Sequence, residues 1–210
     1  MIMYGIHSVF TYCKIEGIGN FLALCFQFCL RIFFYKTQAN LLTFDLSKHI
    51  SFSTDRVPLQ IELLAENRIQ ELSQITLYDE EEIRRRLQEG QFCIVGIVDN
   101  KIAHYSWVTG KPQVAGEIES VFRFKSGHFY LYNCRTLKKF RGLHIFPAVI
   151  SRALAEAKLR GAVRLRALVA SNNQVSLQAF EKFHFMTERE FKVTRILFWY
   201  FGNHQKSYEV

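Results

Sequence analysis

Proline, paired cysteine and metal-ligand spacings are what this sequence of 210 residues has least of. Only three prolines interrupt it, so regular elements are permitted along almost its whole length. The five cysteines are Cys13, Cys25, Cys29, Cys93 and Cys134; they sit mostly in apolar runs and include no Cys-x-x-Cys pair. That excludes a disulfide scaffold and a zinc module, and points to a reducing compartment with buried thiols. Seven histidines show neither His-x-His nor His-x-x-x-His spacing on a plausible element, so no structural metal is expected. Internal repeats and low-complexity tracts are also missing.

An uninterrupted apolar span is lacking too. "GIGNFLALCFQFCLRIFFYK", Gly17 to Lys36, is broken by Gln27 and Arg31, whereas crossing a bilayer takes about 20 apolar residues. Neither a basic start nor a small-residue cleavage site marks it as a secretory signal. Three readings stay open: a helix packed on the domain or on a partner subunit, a helix lying in a membrane interface, or a true span. In the second, Arg31 and Lys36 would sit at the headgroups. Residues 1–40 differ in flavour from the rest and read as a hydrophobic extension, with one domain over 41–210.

What is present is apolar mass and positive charge. The chain is 49% hydrophobic, with twenty Phe, enough for a sizeable core rather than disorder. Its 27 basic and 19 acidic residues leave a net charge of +8, which favours phosphate-bearing partners. Part of that charge is oddly placed. "KKFRGLHIFPAVISRALAEAKLRG", Lys138 to Gly161, sets Lys138, Lys139 and Arg141 at the start of an amphipathic helix. The helix dipole is already positive there, and acids would be stabilising. A bound anion resolves the conflict.

The remaining pattern predicts the order of elements. "NLLTF" (Asn40 to Phe44) reads as a first strand, Leu59 to Ile75 as a helix, and "DEEEIRRRLQEG" as a helix stopped by Gly90. "QFCIVGIVDNKIAHYSWVTG" reads as two strands joined at Asp99-Asn100, and "GHFYLYNCRTL" as another. A loop from Lys138 to His144 leads to a helix ending near Arg160, with Pro147 in its first turn and Gly161 as its stop. "VRLRALVAS" is a strand, "NQVSLQAFEKF" a short helix capped by Asn172 or Asn173, and "FMTEREFKVTRILFWYF" one long or two shorter strands. This is a mixed sheet with helices on its faces, an α/β or α+β domain.

Strand, basic loop ending in Arg-Gly, helix, strand, Asn-x-x-Ser, short helix and Glu-Lys-x-x-Phe come in an order that resembles the GNAT superfamily of acyl-CoA-dependent N-acetyltransferases. "RGLHIFP" (Arg141 to Pro147) is similar to that family's Arg-Gly-x-Gly-x-Tyr-Pro form. "NQVSLQAFEKFHF" (Asn173 to Phe185) is similar to its Asn-x-x-Ser-x-x-x-Tyr-Glu-Lys-x-Gly-Phe. The resemblance implies a mostly antiparallel sheet with helices on both faces, and acetyl-CoA as the donor. It also implies a small primary amine as acceptor, with an amino sugar of a surface-polysaccharide pathway favoured by the Tyr-Pro form. Three positions depart from the pattern: His144 and His184 replace glycines, and Phe180 replaces the tyrosine that usually protonates the leaving thiolate.

The resemblance assigns coenzyme A to Asn133, Cys134, Arg135 and Thr136 at the end of one strand, and to Lys139, Arg141, Gly142, Leu143, His144, Ile145 and Phe146 in the loop and helix start. Asn173, Ser176 and Phe180 complete the set. Backbone N–H groups near Asn133 and Cys134 would serve the oxyanion. Candidate bases are His128, at the offset where some members keep a glutamate, and Glu119, with Glu117 beside it. Tyr105, Trp107 and Tyr132 are the candidate acceptor platform. Cys134, a strand thiol with no adjacent base, reads as core. The expected protein is cytoplasmic, with peripheral membrane contact or a dimer available to the N-terminal segment. A catalytically degenerate acyl-CoA-binding or interaction protein is the alternative. Nucleic acid is not an expected partner, although Arg164 and Arg166 alternate as an outer basic stripe would.

Overall fold

The computed structural model describes residues 33–48 and 59–210. The apolar segment before Phe33 and three of the cysteines, Cys13, Cys25 and Cys29, lie outside the described residues. Eight strands form one sheet in the order β10-β9-β1-β8-β7-β4-β3-β2, all antiparallel except the β7–β8 pair. These are β1 (Phe34–Asp45), β2 (Gln60–Leu63), β3 (Phe92–Val98), β4 (Lys101–Thr109), β7 (His128–Thr136), β8 (Arg164–Ala170), β9 (Met186–Ile196) and β10 (Trp199–Gly202). A three-stranded sheet of β5 (Gln113–Ala115), β6 (Ser120–Arg123) and β11 (Ser207–Glu209) accompanies it. Helices α1 (Ile69–Ser73) and α2 (Glu80–Gln88) belong to one face, α3 (Ile145–Leu159) and α4 (Gln174–Lys182) to the other.

Each face has its own core, because strand residues alternate between them. Leu42, Phe44, Leu165, Ala167 and Val169 meet the apolar stripe of α3. Ala39, Leu41, Tyr130, Phe191 and Val193 meet α1, α2 and the small sheet. Both cores are rich in aromatic residues. Phe122 alone stacks at an edge or tilt against Phe124, Tyr130, Phe191 and Tyr208. Helices on both faces of a mostly antiparallel sheet are therefore observed as expected.

Local signals explain most of the boundaries. Asp79 caps α2 by accepting from the Glu82 N–H at 2.9 Å, and Gly90 leaves it at φ +84°. Asp99 and Asn100, at φ +49° and +57°, make the two-residue turn between β3 and β4. Gly161 ends α3 at φ +78°. Asn173 caps α4 by accepting from the Ser176 N–H at 3.2 Å. The C-terminal stretch splits into the β9–β10 hairpin.

Three expectations about the elements are corrected. Leu59 to Ile75 is not one helix: Gln60–Leu63 joins the sheet edge, and a 3₁₀ turn at Glu66–Arg68 precedes the short α1. Leu59, Ile61 and Leu63 alternate, and pairing with β3 satisfies that period before the helical one begins. The basic stripe on β8 does not exist, because Arg166 is 2% exposed and gives two hydrogen bonds to Glu188, at 2.6 and 2.9 Å. The first strand also begins at Phe34 and so reaches back across the boundary drawn at residue 40.

Candidate active site

The site is opened by a defect in the central strand. Tyr105 of β4 faces Arg135 of β7, and Trp107 faces Tyr132, so two steps on β4 oppose three on β7. The surplus residue makes a bulge, and Asn133 within it takes φ +55°. Among non-glycine residues, asparagine adopts that conformation with least strain. On the other side, β7 pairs with β8 only from His128 to Leu131. Beyond Leu131 the two parallel strands have no ladder. Asn133 and Cys134 have no register partner in either neighbouring strand.

A cavity of about 360 Å³ lies against this bulge, lined by Leu77, Tyr78, Tyr105, Asn133, Cys134 and Arg135. Leu77 and Tyr78 come from the loop before α2, and the Asn133 side-chain amide donates to the Tyr78 hydroxyl. Arg86 lies 3.8 Å from the Tyr78 ring centroid and fixes it from behind. Burial pushes the Tyr105 hydroxyl up to about 12 and the Cys134 thiol up to about 12. Cys134 is thus a neutral thiol at neutral pH, as its place in the strand suggested, and not a nucleophile.

Beneath the bulge, His104 joins β4 to β7. Its Nδ1 is 2.8 Å from Thr136 Oγ1 and its Nε2 is 2.7 Å from Ser106 Oγ. Burial drops its pKa to about 3, so the ring is neutral, and it stacks on Phe146 of α3 at 5.5 Å. The start of α3 is pressed close to the sheet here. A Cβ added to Gly96 would come within 2.8 Å of the Ile145 side chain. Glycine in β3 and the His104 bridge together seat the N-terminus of α3 beside the open strand ends.

The loop entering α3 has the shape of an anion cradle. Gly142 has φ +84° and His144 φ +56°, so His144 takes the left-handed conformation that glycine usually supplies. No side chain caps this helix and its first turn holds no acid. Among the described residues, no backbone carbonyl accepts from the N–H groups of Gly142, Leu143 or His144. Lys139 and Arg141 are exposed at its rim, with Arg141 Nε donating to the Thr136 carbonyl at 3.3 Å. Unclaimed N–H groups, a helix dipole and a basic rim fit a pyrophosphate. Across the opening, Asn173 stands at the start of α4, with Ser176 in its first turn.

The structure gathers some of the expected site residues and separates others. Asn133, Cys134, Arg135 and Thr136 lie on the open end of β7, and the Lys139 to Phe146 loop follows them directly. His128 is at the opposite end of the strand, about 16 Å from Asn133 at the usual rise per residue. Desolvation and Arg166 lower its pKa, but it does not border the cavity. Glu119 is bound into an ion pair with Arg195 at 3.0 Å and accepts from the Tyr200 hydroxyl. Trp107 is fully buried, and Tyr132 is held below the surface by Arg86 and Gln91, so only Tyr105 of the acceptor platform faces the cavity. Phe180 is 2% exposed and wedged at right angles to Phe146 and beside Phe185. Leu77 and Tyr78 were missed; the one available signal was an apolar-aromatic pair immediately before a helix cap.

A bulged, splayed strand thus runs directly into an N–H-lined loop and helix. The family model "Acetyltransferase (GNAT) family" matches residues 60–185, and the chain belongs to that family. Enzymes of this family generally use acetyl-CoA. No curated protein matches the sequence. Among solved structures, the fold is similar to a GNAT-family protein from Novosphingobium aromaticivorans, with a TM-score of 0.54 at 14% identity. That similarity covers 76% of this chain and 63% of the other. It is also similar to a GNAT-family acetyltransferase from Streptococcus pneumoniae, with a TM-score of 0.50 at 15% identity over 66% of this chain and 99% of that one.

Proposed function

We propose that this protein is an N-acetyltransferase that moves an acetyl group from acetyl-CoA to a small primary amine, with an amino sugar as the favoured acceptor. The observation that carries the reading is the bulge at Asn133 at the mouth of the unpaired β7–β8 ends, directly upstream of the N–H-lined loop. When bound, acetyl-CoA supplies an activated thioester carbonyl. Gly142, Leu143 and His144 hold the pyrophosphate by backbone N–H groups, and Lys139 and Arg141 neutralise it. The backbone N–H groups of Asn133 and Cys134, in the bulge, would stabilise charge developing on the thioester oxygen, a contribution of roughly 10²–10³ in rate at comparable sites.

The cavity supports the acceptor assignment. Tyr78 and Tyr105 offer aromatic surface, while Asn133 and Arg135 offer polar groups, a combination suited to a hydroxylated ring. Among the described residues, its lining includes no carboxylate and no imidazole. The amine proton therefore leaves to water at the Tyr78–Asn133 pair, and only the fraction of amine already neutral attacks. The buried Phe180 has no hydroxyl to give the thiolate, and a thiol with a pKa of about 8.5 departs as the anion. Of the three departures behind the degenerate-binder alternative, Phe180 is the one that bears on it, since His144 at φ +56° and His184 at φ +60° keep the left-handed conformation that glycine would give.

Thiol release from acetyl-CoA, followed with a panel of amino sugars, polyamines and amino acids, tests the proposal. Amine-dependent release with an amino sugar at the top of the panel is expected. Tight coenzyme A binding with no amine-dependent release would favour the degenerate binder.

A further inference from the structure

One corner of the main sheet is covered in exposed aromatic and aliphatic side chains, remote from the cavity at Asn133. At the β9–β10 turn Phe198 is 88% exposed and Trp199 73%, with Phe201 at 53%. The ladder sets Ile196 opposite both Phe34 and Trp199, so the patch runs across three strand ends. Exposed apolar clusters of this kind mark interaction surfaces.

We propose that this hairpin inserts into the headgroup region of a lipid bilayer and holds the protein at an anionic membrane surface. Three features select a bilayer over a second protein. First, every residue of β10 is exposed. Successive strand residues point to opposite faces, so Trp199 and Phe201 share one side and the exposed Tyr200 lies on the other, with Phe198 in the turn before them. A flat partner covers one face of such a projecting ribbon; a fluid apolar medium surrounds both. Second, tryptophan and tyrosine beside phenylalanine is the composition of the bilayer interface, and exposed Lys36, Lys192 and Lys206 lie on the strands that frame the patch or just beyond them. The net charge of +8 favours an anionic surface over a neutral one. Third, the apolar stretch of sequence from residue 18 onward enters β1 at this same corner, through Phe33 and Phe34.

The two tryptophans make the test direct, because Trp107 is fully buried and Trp199 is exposed. The full chain is mixed with vesicles of phosphatidylcholine, with and without phosphatidylglycerol, and binding is followed by flotation and tryptophan emission. Expected are a blue shift on the anionic vesicles, its absence in W199F, and at least tenfold weaker partitioning of the F198D/F201D variant. The variant should keep its melting temperature, since both side chains are exposed. Partitioning unchanged in F198D/F201D would assign the binding to residues 1–32 alone and overturn the proposal. So would failure to bind either vesicle, or light scattering that shows a dimer in solution which F198D/F201D dissociates.

Discussion

The side-chain amide of Asn133 donates a hydrogen bond to the hydroxyl of Tyr78, tying the bulge in β7 to the loop that opens α2. In the proposed reading, one residue comes from the strand that would present the oxyanion donors, the other from the wall that would receive the acceptor. Removing the hydroxyl in Y78F breaks the tie without touching the cofactor loop. A hydrogen bond of this kind is worth about 1 kcal/mol, so kcat/KM for the amine should fall roughly fivefold while coenzyme A affinity holds. Steady-state kinetics beside a coenzyme A titration separates the two.

Among the described residues, no carboxylate or imidazole lines the cavity, which predicts an unusual pH profile. With no protein base, kcat/KM rises with pH along the ionisation of the acceptor amine itself. Two acceptors of different amine pKa should give profiles displaced by that difference. A limb fixed at one pH for both would reveal a protein base.

His104 makes stability pH-dependent. Its folded pKa is about 3 against 6.5 for the free side chain, because burial disfavours the imidazolium. Between those values the unfolded chain binds the extra proton, so stability rises with pH. The contribution is complete above pH 6.5 and lost as pH falls toward 3, with a slope of up to about 1.4 kcal/mol per pH unit. Urea titrations across that window should show the slope in the wild type and a shallower one in H104Q.

The Arg166–Glu188 pair predicts a contrast with its neighbour Arg164. Glu188→Ala leaves a guanidinium that is 2% exposed without its carboxylate, and such losses are worth about 3 kcal/mol. Arg164 is exposed, and R164A should change stability by less than about 0.5 kcal/mol. Chemical denaturation of the two variants checks this.

How far the sequence led depends on whether a feature is local. Asp79, Asp99-Asn100, Gly161 and Asn173 act on their own neighbourhoods, and the elements they bound lie where the spacing places them. The Arg-Gly loop was legible for the same reason: its charge contradicts the helix that follows. The bulge was not, because an extra residue in β7 is defined only by its register against β4. His128 misled because an offset along the chain says nothing about which end of a strand is open. Arg166 misled because its partner, Glu188, comes from a different strand, and alternation alone cannot tell a solvated face from an ion-paired one. Tyr78 was silent until the fold brought it to Asn133.

The bulge at Asn133 can serve acyl transfer only if the loop beside it holds coenzyme A, and a calorimetric titration of coenzyme A tests this most directly. Wild-type protein should bind one equivalent, and G142V should bind at least tenfold more weakly. A β-branched residue at φ +84° must distort the loop that presents the N–H groups. The absence of heat with the folded wild-type protein, or equal affinity in G142V, would contradict it.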